Sequence, residues 1–213
     1  LVATILTVGA RIMNIKRTMD TLLMGFKAIM PAVVILTLAW ALAMTTNELH
    51  TADFLTEIMR DSISPYFVPP IIFILAALIS FSTGSSWSTM AILYPIAIPT
   101  TWAVSHAAGL PEDVSLEILF NVVATVLAAS VVGDHCSPIS DTTILSSLAT
   151  KCNHIDHVHT QMPYALTVGA VSLVSCTLAA YFGGGALVSG LLLLGGFVVM
   201  YLIIRFLGRK VDG

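Results

Sequence analysis

Charge is the scarcest feature of this chain. Only 10% of its 213 residues are Asp, Glu, Lys or Arg, while 57% are hydrophobic. An ordinary soluble domain carries about 25% charged residues. A chain this apolar has too little polar surface to stay dispersed in water, which excludes a soluble globular domain. Nor is there a basic patch interleaved with aromatics, and the formal net charge is only -3, so nucleic acid is not an expected partner. Three cysteines, Cys136, Cys152 and Cys176, form neither a disulfide framework nor a zinc spacing. No cofactor is expected. No signal peptide is visible. The chain opens on Leu1, already in apolar sequence, and is read as a fragment of a longer protein that lacks an N-terminal half.

What the chain does have is long apolar runs. A transmembrane helix needs roughly 20 such residues. The expected fold is all-α, a polytopic transmembrane helix bundle. Residues 1–27 read as the end of one helix followed by a basic cytoplasmic loop, and 28–64 as a span followed by an amphipathic interfacial helix from residue 50. Residues 65–105 hold two apolar runs around a short polar stretch, Ser82-Thr83-Gly84-Ser85-Ser86-Trp87-Ser88-Thr89. Residues 113–152 read as an interrupted span, 160–207 as two more spans, and 208–213 as a cytoplasmic tail.

Charge distribution orients these segments. Arg11, Lys16, Arg17 and Lys27 precede the first full span, and Arg205, Arg209 and Lys210 follow the last. Lys and Arg favour the cytoplasmic side. The acidic segments around Glu48–Asp61 and Glu112–Glu117 then fall outside, with Arg60 the one dissenting residue. Both ends of 65–105 therefore lie on one side, which makes it two full spans or a re-entrant hairpin. The small, polar, glycine-containing tip favours the hairpin, because irregular backbone at membrane depth survives only when buried in protein or lining a cavity.

The strongest chemical signal is Gly133-Asp134-His135-Cys136-Ser137-Pro138-Ile139-Ser140-Asp141. A carboxylate at a membrane helix centre costs about 2.5–3.5 kcal/mol, so two of them mark a site rather than a lipid-facing surface. Pro138 breaks the helix between them. Carboxylate, hydroxyl and freed carbonyl oxygens together suit a small hard cation, such as sodium at Asp134 and Asp141. The competing reading for Asp141 is a helix N-cap. Ser137, and Thr83, Ser85 and Ser86 at the hairpin tip, are further candidate ion-binding residues; alternatively the small residues only let helices pack closely. Trp87 is either part of the tip or an interfacial anchor. His135, beside Asp134, is a candidate proton relay or a structural hydrogen bonder. His154, His157 and His159 read as a solvated cytoplasmic loop or as a pH sensor, because histidine titrates near neutrality. Asn121 and Thr125 share a helix face and either line the pathway or pair with a neighbouring helix.

Two motifs carry a resemblance. Phe81-Ser-Thr-Gly-Ser-Ser-Trp-Ser-Thr-Met90, followed by Gly133-Asp-His-Cys-Ser-Pro-Ile-Ser-Asp-Thr-Thr-Ile-Leu145, resembles the NhaC-type sodium/proton antiporter family, as does Asp156-His157 with Gln161-Met-Pro-Tyr-Ala165. The resemblance covers nearly the whole chain and corresponds to that family's C-terminal half. It implies membership of a wider ion-transporter superfamily built from inverted repeats, each with a re-entrant hairpin and an interrupted helix. It implies sodium/proton antiport across the bacterial inner membrane, not an enzyme, with an elevator-like movement of the hairpin and broken helix. The residues it points to are Thr83, Ser85, Ser86, Asp134, Ser137 and Asp141. Expected partners are the lipid bilayer and the missing half of the same protein, with a homodimer as an option; the expected location is the inner membrane, multi-pass, with a cytoplasmic C-terminus. Family members also exchange organic acids, so a sodium- or proton-coupled exchanger of a small carboxylate is the alternative. An intramembrane hydrolase is disfavoured, because both aspartates lie on one segment rather than on two facing helices.

Overall fold

The computed structural model describes residues 2–50 and 64–208, and among these the chain is all-α with no strand. The interfacial helix expected from residue 50 onward falls largely on 51–63, outside the described residues, as does most of the tail. In chain order the helices are α1 Val2–Gly9, α2 Ile15–Glu48, α3 Val68–Thr83, α4 Ser86–Ala107, α5 Glu112–Cys136, α6 Asp141–Ala149, α7 His154–Phe182 and α8 Ala186–Leu207. Among the described residues four stretches are long and apolar enough to cross a membrane: Pro65–Thr83, Glu112–Cys136, His154–Phe182 and Ala186–Leu207. The chain is a multi-pass membrane protein.

Local chemistry sets the boundaries. A 3-10 turn at Pro65–Phe67 leads into α3, whose first turn carries Pro69 and Pro70. Proline suits that position because the first N–H groups of a helix have no intrahelical partner anyway. Gly84 ends α3 in the left-handed region (φ 65), its N–H reaching Ser80 O at 2.8 Å. Glycine is the residue that accepts this conformation without strain. Ser85, extended, then caps α4 by accepting from the Ser88 N–H at 3.3 Å. Helix α5 opens with Glu112 and Asp113, acidic residues that favour a helix N-terminus. It closes where Pro138 forces its predecessor out of the helical region: Ser137 sits at φ -80, ψ 128.

Two boundaries differ from the sequence reading. The basic stretch expected to be a loop over 11–27 is helical from Ile15, continuous with the first apolar span. Asn14 Oδ1 accepts the Arg17 N–H at 2.8 Å, a side-chain cap that starts the helix before the apolar residues do. Likewise His154, His157 and His159 are not in a solvated loop but in the first turns of α7. Asn153 caps that helix, accepting from the N–H groups of Ile155 and Asp156 at 3.0 and 3.4 Å.

Helix α5 is the centre of the packing. Ile118, Val122, Val126 and Ala129 recur at helical spacing on its buried face, each at most 2% exposed. Val122, Val126 and Ala129 meet Val68, Ile72, Phe73 and Ala76 of α3 and Leu93, Ala97 and Val104 of α4. Helix α7 closes a third side; Asn121 Nδ2 donates to Cys176 O there at 2.9 Å, so Asn121 pairs with a neighbouring helix. Helix α8 packs on α7 and has no buried residue; its apolar, exposed side chains suit lipid.

Candidate functional site

The two sequence motifs meet in space. At the α3–α4 turn a Cβ added to Gly84 would lie 2.8 Å from both the carbonyl oxygen and Cγ1 of Ile139. Gly84 therefore presses directly on the break between α5 and α6. One turn deeper, Gly133 lets α5 touch the α3 backbone: a Cβ there would run into Ala77 O and come within 2.7 Å of Ser80 Cβ and 2.9 Å of Phe81 N. The Ser80 hydroxyl crosses the same contact and donates to Ser130 O at 2.5 Å. The end of α3 is thus welded along residues 130–139.

Asp134 sits inside this junction, 6% exposed, and its Oδ1 has no hydrogen-bond partner. Ser130, fully buried, stands four residues earlier on the same helical face, and its Oγ also lacks a partner. Buried polar atoms are nearly always hydrogen-bonded, so two orphaned oxygens on one face call for an explanation. Ser130 and Ser80 were not among the residues singled out from sequence. The signal that could have found Ser130 is its i, i+4 relation to Asp134.

Several backbone groups around the break are, by contrast, hydrogen-bonded. Ser137 N donates to Asp134 O at 3.1 Å and Ser140 N to Ser137 O at 3.4 Å. His135 lies outward and its Nδ1 bonds Val131 O at 2.9 Å. A carbonyl only accepts, so the proton is on Nδ1. His154 reaches from α7 and donates through Nε2 to Pro138 O at 2.6 Å, while its Nδ1 meets Ser147 Oγ at 3.1 Å. His157 Nε2 meets Ser146 Oγ at 2.9 Å. These two histidines therefore latch α6 and the break to α7. His159 is exposed. His135, His157, Thr142, Thr143, Ser146 and Gln161 line a polar cavity of about 320 Å³ beside the break.

The remaining predicted site residues are placed less deeply. Ser137 is fully buried, and its Oγ accepts from Ile139 N at 3.4 Å. Asp141 is exposed at the first position of α6. Thr83 is exposed and donates to Ile79 O at 2.9 Å; Ser85 is half-buried as the α4 cap; Ser86 is half-buried in the first turn of α4. Trp87 is 79% exposed. The structure thus separates Asp134 from Asp141 by burial, and brings the hairpin turn to the break through Gly84 rather than through a hydroxyl. Among the described residues no group of three His, Cys, Asp or Glu is disposed to hold a metal ion.

Comparison with known proteins adds a lineage to this geometry. The family model described as the Na+/H+ antiporter family matches residues 1–181. An uncharacterized protein of Haemophilus influenzae is 36% identical over 99% of this chain and 38% of its own length. A malate-2H(+)/Na(+)-lactate antiporter of Bacillus subtilis is 28% identical over 56% of the chain and 24% of its own length. The arginine/ornithine antiporter ArcD of Halobacterium salinarum is 34% identical over 50% of the chain and 21% of its own length. The chain spans 38% or less of the length of these relatives. No solved structure matches.

Proposed function

The chain belongs to the Na+/H+ antiporter family, and from that premise we propose that it carries the cation site of a sodium/proton antiporter, centred on Asp134. The observation that carries this reading is the orphaned Asp134 Oδ1 beside the orphaned Ser130 Oγ. A buried carboxylate left unpaired is strongly destabilising. Two species relieve it: a sodium ion, which the carboxylate and hydroxyl oxygens coordinate, or a proton, which neutralises it. Both occupy the same oxygen, so they exclude one another. Alternating access to the two sides then exchanges one for the other, which is antiport.

Ser137 supplies a further buried oxygen next to the break. Thr83, Ser85, Ser86 and Asp141 contribute where the rest of the protein covers them. The polar, glycine-containing tip at Gly84, seated against the broken helix, supports a re-entrant hairpin that ends inside the membrane, because irregular backbone survives at that depth only when covered by protein. The Lys and Arg distribution supports an inner-membrane orientation with the C-terminus in the cytoplasm.

A second reading, coupled exchange of a small organic anion, draws on the name of the Bacillus relative. Against it, residues 64–150 contain no Lys or Arg to meet an anion.

The test is sodium-driven proton movement in everted membrane vesicles, with the full-length protein and its Asp134→Asn variant. Sodium should dissipate the pH gradient with the wild type and not with Asp134→Asn at equal membrane abundance. Sodium-driven exchange undiminished in Asp134→Asn would remove Asp134 from the mechanism.

A further inference from the structure

At one end of the bundle three helix ends converge: the 3-10 turn before α3, the first turns of α5, and the last turn of α7 with its glycine loop. Between them lies a cavity of about 290 Å³ whose wall includes Tyr66, Glu117, Tyr181, Phe182, Gly183 and Gly184. Its size is at the lower end for ligand pockets, which run from roughly 300 to 1,000 Å³, so an occupant is a small group rather than a large molecule.

The chemistry of the wall narrows the occupant. Glu117 is half-buried, yet among the described residues its carboxylate has neither a hydrogen bond nor an ion pair. The glycine loop closes directly over it: a Cβ on Gly183 would come within 3.0 Å of Glu117 Oε2. The absence of side chains at this loop keeps the carboxylate open to the cavity. The same wall carries three rings, of which Tyr181 and Phe182 are largely exposed. Tyr66 and Tyr181 are tilted by 56° with centroids 6.0 Å apart, and Tyr181 meets Phe182 edge-on at 5.8 Å. An anion would be repelled by Glu117. A neutral apolar group would leave the carboxylate unpaired. A hard cation prefers about six oxygen ligands, and this wall offers rings around a single carboxylate. An organic cation satisfies both features, pairing with the carboxylate while the ring faces attract its charge.

We propose that this cavity binds a small primary ammonium group, held by the Glu117 carboxylate against the rings of Tyr66 and Tyr181. The site is separate from Asp134. It lies at the level where helices begin and end, the membrane surface, where tyrosine is enriched. The same chemistry is offered by a free amine and by the ethanolamine headgroup of a phospholipid.

The experiment uses the full-length protein in detergent. Equilibrium dialysis with radiolabelled ethanolamine probes the free amine. Native mass spectrometry after mixing with equal phosphatidylethanolamine and phosphatidylglycerol probes the headgroup. One or both amine probes should bind the wild type; Glu117→Gln should weaken that binding at least tenfold and Tyr66→Leu at least threefold. Sodium-driven exchange retained in Glu117→Gln reports that the variant is folded. Ethanolamine binding identifies a free-amine site; selective retention of phosphatidylethanolamine alone identifies a lipid site. Equal binding by wild type and Glu117→Gln, or no binding of either probe to the wild type, overturns the proposal.

Discussion

Adding a single methyl group at Gly133 tests whether the α3–α5 contact positions the site. In Gly133→Ala the new Cβ would stand 2.7 Å from Ser80 Cβ and 2.9 Å from Phe81 N, and would run into Ala77 O. Two of these three neighbours are backbone atoms of a helix, so a side-chain rotation cannot relieve the clash. The helices must part instead, and overpacking of this kind costs about 1–3 kcal/mol. Parting them also stretches the Ser80 hydroxyl away from Ser130 O, a bond of 2.5 Å whose loss adds roughly 0.5–1.5 kcal/mol. Because Asp134 is the next residue, the same shift displaces the carboxylate. The full-length protein carrying Gly133→Ala should therefore lose thermal stability in detergent, measured by size-exclusion chromatography after heating, and need more sodium for half-maximal exchange. Gly190→Ala is the control: nothing lies within 4 Å of a Cβ there, and alanine is the better helix former by about 1 kcal/mol. If Gly133→Ala matches wild type in both measurements, the close crossing of α3 and α5 is not what holds the site.

Other expectations follow from the latch and from the two aspartates. His154→Gln can still donate to Pro138 O, whereas His154→Asn reaches only toward Ser147; half-maximal sodium should stay near wild type for Gln and rise severalfold for Asn, with maximal rate less affected. Equal behaviour of the two variants in the vesicle assay would show that the Pro138 bond does not position the break. Asp141 is exposed, so Asp141→Asn should raise the sodium requirement while leaving measurable exchange, in contrast to Asp134→Asn; abolition by both alike would mean that Asp141 is buried at the site in the complete protein.

Much of this arrangement was legible in the sequence, for identifiable reasons. Pro138 and Gly84 each act through their own backbone, so the break after Cys136 and the turn after Thr83 could be read locally. The starts of α2 and α7 were missed because Asn14 and Asn153 were not weighed as caps, and polar residues in the first turns then read as loop. Gly133 serves a close approach to α3, which depends on a neighbour about fifty residues away and so is not legible locally. The contrast between buried Asp134 and exposed Asp141 is likewise tertiary. Nothing in two aspartates flanking one proline says which of them the surrounding helices will cover.

The hydrogen bonds around the break change what kind of ion shell the site can build. A broken helix is expected to free carbonyl oxygens for a cation. Here the carbonyls of Ser130, Val131, Asp134 and Pro138 each already accept, from Ser80, His135, Ser137 and His154 respectively. Among the side chains flanking the break, Asp134 Oδ1, Ser130 Oγ and Thr143 Oγ1 have no partner. A shell built on side-chain oxygens has a different consequence from one built on carbonyls. Carbonyl dipoles bind a cation whatever the proton concentration, whereas a carboxylate binds either a cation or a proton. With these four carbonyls engaged, the proposed site has the carboxylate as its principal attraction for a cation. That is the condition under which sodium and proton compete most directly. On the proposed function, the Ser80 and His154 hydrogen bonds therefore do more than stabilise the fold: by occupying the carbonyls of Ser130 and Pro138, they favour exchange over simple cation binding.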